Sequence, residues 1–179
     1  MSLKLSSQMV TEVEICDFSD YIIYFLNAQG VIITPLKLQK VLYYSQAWHL
    51  VFFEKHSLFN EAPEAWVNGP VYRTIYNKYS KNWFKNNPLT PVLPEGVTFF
   101  DRLNEILEVL QLEEDQQACV DAVLMKYGFM EQEKLVYLTH AELPWNEARK
   151  GLGILQRSDK KISLETMYSY YKSRTENNG

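Results

Sequence analysis

The sequence predicts a mainly α, single compact helical domain with a short extended or turn segment around Glu64–Pro70. Apolar residues recur at three- and four-residue spacing along most of the chain, and helix start and stop residues bracket those runs. At 179 residues and 46% hydrophobic content, the chain is long enough to bury one full core. The domain reading is a loose segment over residues 1–14, a helical domain over 15–173 and a loose end over 174–179.

Asp17 is the expected N-cap of a first helix reaching Ala28, with Phe18, Tyr21, Ile22, Phe25 and Leu26 inward and Gly30 as the stop. Thr34 followed by Pro35 opens the strongest helix, running to about Glu54. Leu38, Val41, Leu42, Ser45, Trp48, His49 and Phe52 share one face of it, and Leu50, Val51 and Phe53 carry apolar surface around the rest. A helix apolar on nearly all sides belongs at the centre of a bundle.

Glu64–Val67 reads as extended. Asn68-Gly69 is a hairpin signal, but Pro70 follows, so Gly69-Pro70 is expected to be a turn feeding a helix that turns Val71, Ile75, Tyr76 and Tyr79 inward. Pro88, Pro91, Pro94 and Gly96 mark a long loop over 82–98. Asp101 is expected to cap a helix through Leu110, and further helices are expected over 113–127, 130–139 and 144–150. Ser163 is expected to cap a last one reaching about Lys172.

The net charge is −4 and unevenly spread: residues 95–147 hold 12 acids and 3 bases, residues 148–179 hold 7 bases and 3 acids. The overall balance argues against nucleic-acid binding, which needs a basic stripe, and asymmetry of this kind bears on association rather than fold. Cys16 and Cys119 do not make a disulfide framework and read as buried free thiols. Residues 1–10 lack a signal-peptide layout and no apolar run reaches membrane-spanning length, so a cytoplasmic protein without a membrane partner is expected.

His49, His56 and His140 form no His-x-x-x-His pair, and phosphate-cradling glycine loops and nucleophile elbows are missing from the sequence. The expectation is no metal, no cofactor and no catalytic residue. The one alternative cluster is Thr139-His140-Ala141-Glu142, where His140 and Glu142 would serve a hydrolase. The reading that competes with it makes His140 a helix-end cap, with Pro144 and Trp145 packing a short helix there.

Three segments in order carry a resemblance. They are Leu36-Lys37-Leu38-Gln39-Lys40-Val41-Leu42-Tyr43-Tyr44-Ser45-Gln46-Ala47-Trp48-His49-Leu50, then Glu64-Ala65-Trp66-Val67-Asn68-Gly69-Pro70-Val71-Tyr72, then Leu138-Thr139-His140-Ala141-Glu142-Leu143-Pro144-Trp145-Asn146-Glu147-Ala148-Arg149. Together they resemble the Panacea domain, the family of SocA-like antitoxins and GepA-like phage-associated proteins, over about residues 17–171. The resemblance implies an α-rich domain without known catalytic chemistry that neutralises a cognate protein toxin by direct binding. One branch delivers its toxin to a protease, which leaves a proteolytic adaptor as the alternative function. Asn68 departs from the aromatic residue often found before Gly-Pro in the family.

Candidate partner-binding residues are Lys37, Gln39, Trp66, Tyr72 and Arg149. Trp48, Gly69, Pro70, His140, Pro144 and Trp145 are read as the family's structural positions, with Gly69 supplying a permissive backbone and the aromatics packing turns onto the core.

Overall fold

The computed structural model describes residues 10–82 and 87–176. At its centre lies α2 (Pro35–Phe52). Thr34 caps it by accepting from the Lys37 N–H at 3.1 Å, and Pro35 supplies a preset φ where no intrahelical N–H bond is needed. Leu38, Val41, Leu42, Tyr43, Tyr44, Ala47 and Leu50 are all buried, so the helix is enclosed on several sides as its composition predicts.

The other elements wrap it. In chain order they are α1 (Ile15–Ala28), the strands β1 (Glu64–Trp66) and β2 (Gly69–Val71), α3 (Arg73–Tyr79), α4 (Phe99–Leu110), α5 (Glu114–Val123), α6 (Gln132–Ala141), α7 (Leu143–Ala148) and α8 (Leu164–Glu176). A π-turn, Leu124–Gly128, continues α5. Helices α8, α5 and α6 and strand β2 pack on α2, while α4 lies along α1.

Boundaries shift where the capping chemistry differs from the simplest reading. Helix α1 starts at Ile15, with Glu14 as N-cap and Asp17 in the first turn, where a carboxylate favours the helix dipole. Helix α4 starts at Phe99. Thr98 accepts from the Asp101 N–H and Asp101 accepts from the Thr98 N–H, a reciprocal capping box that places Asp101 three residues inside. Ser163 does cap α8, accepting from Thr166 N at 3.1 Å, and the helix runs on to Glu176. Of the two tails expected to be loose, residues 1–9 and 177–179 lie outside the described residues. Residues 10–14 are tied down in part, since Val13 N donates to Leu58 O at 2.7 Å.

The segment around Pro70 is a correction. The chain forms a two-residue hairpin, Val67-Asn68, pairing Glu64 with Val71, Ala65 with Pro70 and Trp66 with Gly69 in antiparallel register. Pro70 is tolerated because it faces Ala65 at a site where both backbone nitrogens point away from the partner strand. The Ala65 N–H accordingly donates outward, to Lys160 O at 2.8 Å. Gly69 sits at φ 98°, where a side chain is strained. A Cβ there would lie 2.7 Å from Lys40 Cε and 2.9 Å from Thr139 Oγ1, so the position also lacks room.

Candidate functional site

A hairpin of two three-residue strands has too few ladder bonds to stand alone. Here its backbone groups take further hydrogen bonds from side chains. Gln39, on the second turn of α2, donates its amide to Tyr72 O at 3.1 Å and accepts the Tyr72 N–H at 2.7 Å. Lys40 Nζ donates to Pro70 O at 2.9 Å. From α7, Trp145 Nε1 donates to Trp66 O at 2.9 Å, and the adjoining Arg149 donates to Ala65 O at 2.8 Å. On the far side of β1, Lys161 bridges to Glu64 and Ile162 N donates to Pro63 O at 2.7 Å.

The three resemblance segments therefore converge: the first reaches up from α2, the second is the hairpin, and the third grips it from α6 and α7. Gln46, seven residues beyond Gln39, repeats the device by accepting Leu58 N at 2.8 Å and donating to Phe59 O at 3.0 Å.

The electrostatics match this construction. Lys40 is fully buried among neutral groups, and burial lowers its pKa to about 7. Burial likewise lowers the pKa of His140, helped by the nearby Lys40 charge. Its ring stacks on Trp145 with centroids 4.2 Å apart, and its Nε2 is buried without a hydrogen-bond partner. Burial works to raise the Glu64 pKa, but hydrogen bonds from Trp66, Arg73 and Lys161 outweigh it and hold the carboxylate below its usual range.

Beside the hairpin opens a cleft of about 640 Å³. Trp66 and Tyr76 meet edge to face in its wall at 4.7 Å, and the Arg73 guanidinium lies over the Trp66 ring at 4.9 Å while pairing with Glu64. Arg157, Ser158 and Asp159 close the other side. Of the five candidate partner-binding residues, Trp66 lines this cleft. Lys37, Gln39, Tyr72 and Arg149 are buried.

Arg149 is the most heavily used of them. Besides Ala65 O it donates to the carbonyls of Gly153, Ile154 and Gln156 at 2.8 to 3.3 Å. Tyr72 packs edge to face on Phe59 at 5.1 Å, with its hydroxyl buried and unpartnered. Among the structural positions, Pro144 opens α7 and Trp48 donates to Tyr127 Oη at 2.9 Å.

Sequence reasoning missed Arg73 and the segment over residues 151–160, and it placed Tyr76 inward with the core, whereas Tyr76 lines the cleft. The available signal was two adjacent aliphatics, Ile154 and Leu155, between glycines and cations with no helical period to bury them.

His140 and Glu142 do not join into an acid–base pair. The Glu142 carboxylate accepts from Tyr44 Oη at 3.0 Å and Tyr171 Oη at 2.5 Å inside a tyrosine cluster, and burial raises its pKa. His140 turns to Trp145 instead, and no hydrogen bond links the two. Among the described residues no three His, Cys, Asp or Glu side chains gather as a metal site, and no helix is long and apolar enough to cross a membrane. Cys119 is buried, Cys16 half-buried, and both are free thiols.

The chain is similar to Antitoxin SocA of Caulobacter vibrioides (strain NA1000 / CB15N), at 29% identity over 130 residues covering 70% of this chain. It spans 65% of the length of that curated relative. No solved structure matches it. The family model described as "Antitoxin SocA-like, Panacea domain" matches residues 38–146, a range that takes in Gln39, Lys40, the whole hairpin and Trp145. This chain belongs to the SocA-like antitoxin family and carries its Panacea domain.

Proposed function

We propose that this protein is a non-enzymatic, antitoxin-like protein that neutralises a cognate toxin in the bacterial cytoplasm by binding it directly. Family membership is the observation that carries this reading. The chemistry of the motif residues supports it. Gln39, Lys40, Trp145 and Arg149 direct their polar atoms at backbone groups of the hairpin and the loop beside it. Side chains occupied in that way shape a surface; they are not poised to exchange protons with a substrate.

The test is co-expression with the product of the adjacent gene. That product should arrest growth when expressed alone. This chain should restore growth and co-purify with it as a stable complex. A neighbour that is harmless alone, or that does not co-purify, contradicts the proposal. A partner whose level falls only when both this chain and a protease are present would replace masking by delivery.

A further inference from the structure

We propose that the Trp66 cleft and the loop over residues 151–158 form one docking surface for an acidic, apolar segment of the partner protein. This rests on the direct-binding reading above and adds to it a location and a chemistry.

Three observations carry it. The first is how the loop is held. Arg149 is buried, and its guanidinium is satisfied by four backbone carbonyls, three of them in the loop. Gly153 N donates to Gln156 Oε1 at 3.1 Å, which tightens the tip. Fixed from the inside, the loop directs its own side chains outward: Ile154 is 89% exposed and Leu155 81%. Scattered exposed aliphatics are ordinary, but two adjacent ones on a loop braced by a desolvated cation are a displayed apolar patch. A partner binding there would have little loop entropy to remove.

The second observation is charge. Residues 149–161 contain five bases and one acid, Asp159. Arg73 and Lys161 are engaged with Glu64. Arg157 lines the cleft and makes no hydrogen bond or ion pair among the described residues. The surface thus offers one uncommitted guanidinium beside apolar and aromatic groups, and its complement is a carboxylate flanked by apolar side chains.

The third is a contrast with the other cationic region, on α8. There Lys172 lies over the Tyr168 ring at 5.1 Å and Arg174 over the Tyr170 ring at 5.5 Å, while Lys55 pairs with Glu165. Those charges are already occupied within the chain.

The experiment measures affinity between the full chain and the purified product of the adjacent gene by titration calorimetry. The variants are Ile154→Asp with Leu155→Asp, Arg157→Glu, and Val109→Asp on α4 as a control 64% exposed. All of them alter exposed side chains, and an unchanged thermal midpoint verifies that each is folded.

The double aspartate variant is expected to weaken binding at least about thirtyfold and Arg157→Glu about tenfold, with a shallower salt dependence for the latter. Val109→Asp is expected to leave binding unchanged. If both loop variants bind within about twofold of wild type, the partner docks elsewhere and the surface is wrong while direct binding stands. If the wild-type chain does not bind, the reading and the surface fall together. If the chain self-associates and the loop variants make it monomeric, the occupant is a second copy, which also overturns the proposal.

Discussion

The α1–α4 pair and the β1–β2 hairpin are stabilised by different means. Helix α4 lies along α1 and carries Leu103, Ile106, Leu107 and Leu110 into the apolar core at helical spacing, and its Phe99 meets Tyr24 of α1 edge to face at 6.1 Å. The hairpin has three residue pairs and no periodic face, and it is held by Gln39, Lys40, Trp145 and Arg149 reaching into its backbone. An apolar face tolerates exchange of one hydrophobe for another of similar volume. A side chain that satisfies a particular buried carbonyl has few substitutes. The three segments that carry the resemblance all lie on the polar side of this contrast, around the hairpin.

The largest effect should follow from removing a fastener with several bonds. Arg149→Ala leaves Ala65 O buried without its donor and releases three loop carbonyls, and is expected to cost about 4 kcal/mol in urea denaturation. Arg149→Lys should recover part of this, because an ammonium cannot reproduce the fork. A cost below about 1 kcal/mol would mean that the loop does not depend on it.

The same contrast runs along α2 itself, since His49 joins the helix to α5 by polar contacts. Its Nδ1 donates to His56 O at 2.8 Å, and its Nε2 accepts from the Gln116 amide at 2.9 Å. Burial lowers its pKa to about 4. The unfolded chain takes up this proton near pH 6.5 and the folded one resists until about 4, so stability is present above that window and lost as pH falls through it. The loss is expected to be about 3 kcal/mol. Glu142 acts in the opposite sense, because its raised pKa makes the folded state bind a proton more readily as pH falls. Comparing the pH dependence of wild type with that of His49→Gln therefore isolates the histidine, and identical slopes would refute its buried neutral state.

A smaller effect belongs to the periodic side. Thr98→Ala removes an exposed capping box at the start of α4 and should cost about 1 kcal/mol while leaving the hairpin unaffected.

What was legible in the sequence follows the same division. Thr34-Pro35 announces α2, and the apolar spacing announces α1 and α4, because caps and periods are local signals. Sequence alone makes the hairpin a turn, because a proline in its second strand lacks the N–H of a ladder bond. Whether its missing N–H matters depends on register, which only the partners at Ala65 and Lys160 settle. Gln39 and Arg149 stood out in the sequence, but their partners, Tyr72 and the 153–156 carbonyls, are set by tertiary structure. The loop bearing Ile154 and Leu155 carried no local signal of being held in place.

If side chains from α2 and α7 hold the hairpin, amide hydrogen exchange on Gln39→Leu will report it. This variant keeps the volume but removes both bonds to Tyr72. Protection should fall selectively over residues 64–72, by about a hundredfold, while α1 and α4 keep theirs. Unchanged exchange across the hairpin, or an equal loss of protection throughout the molecule, would contradict it.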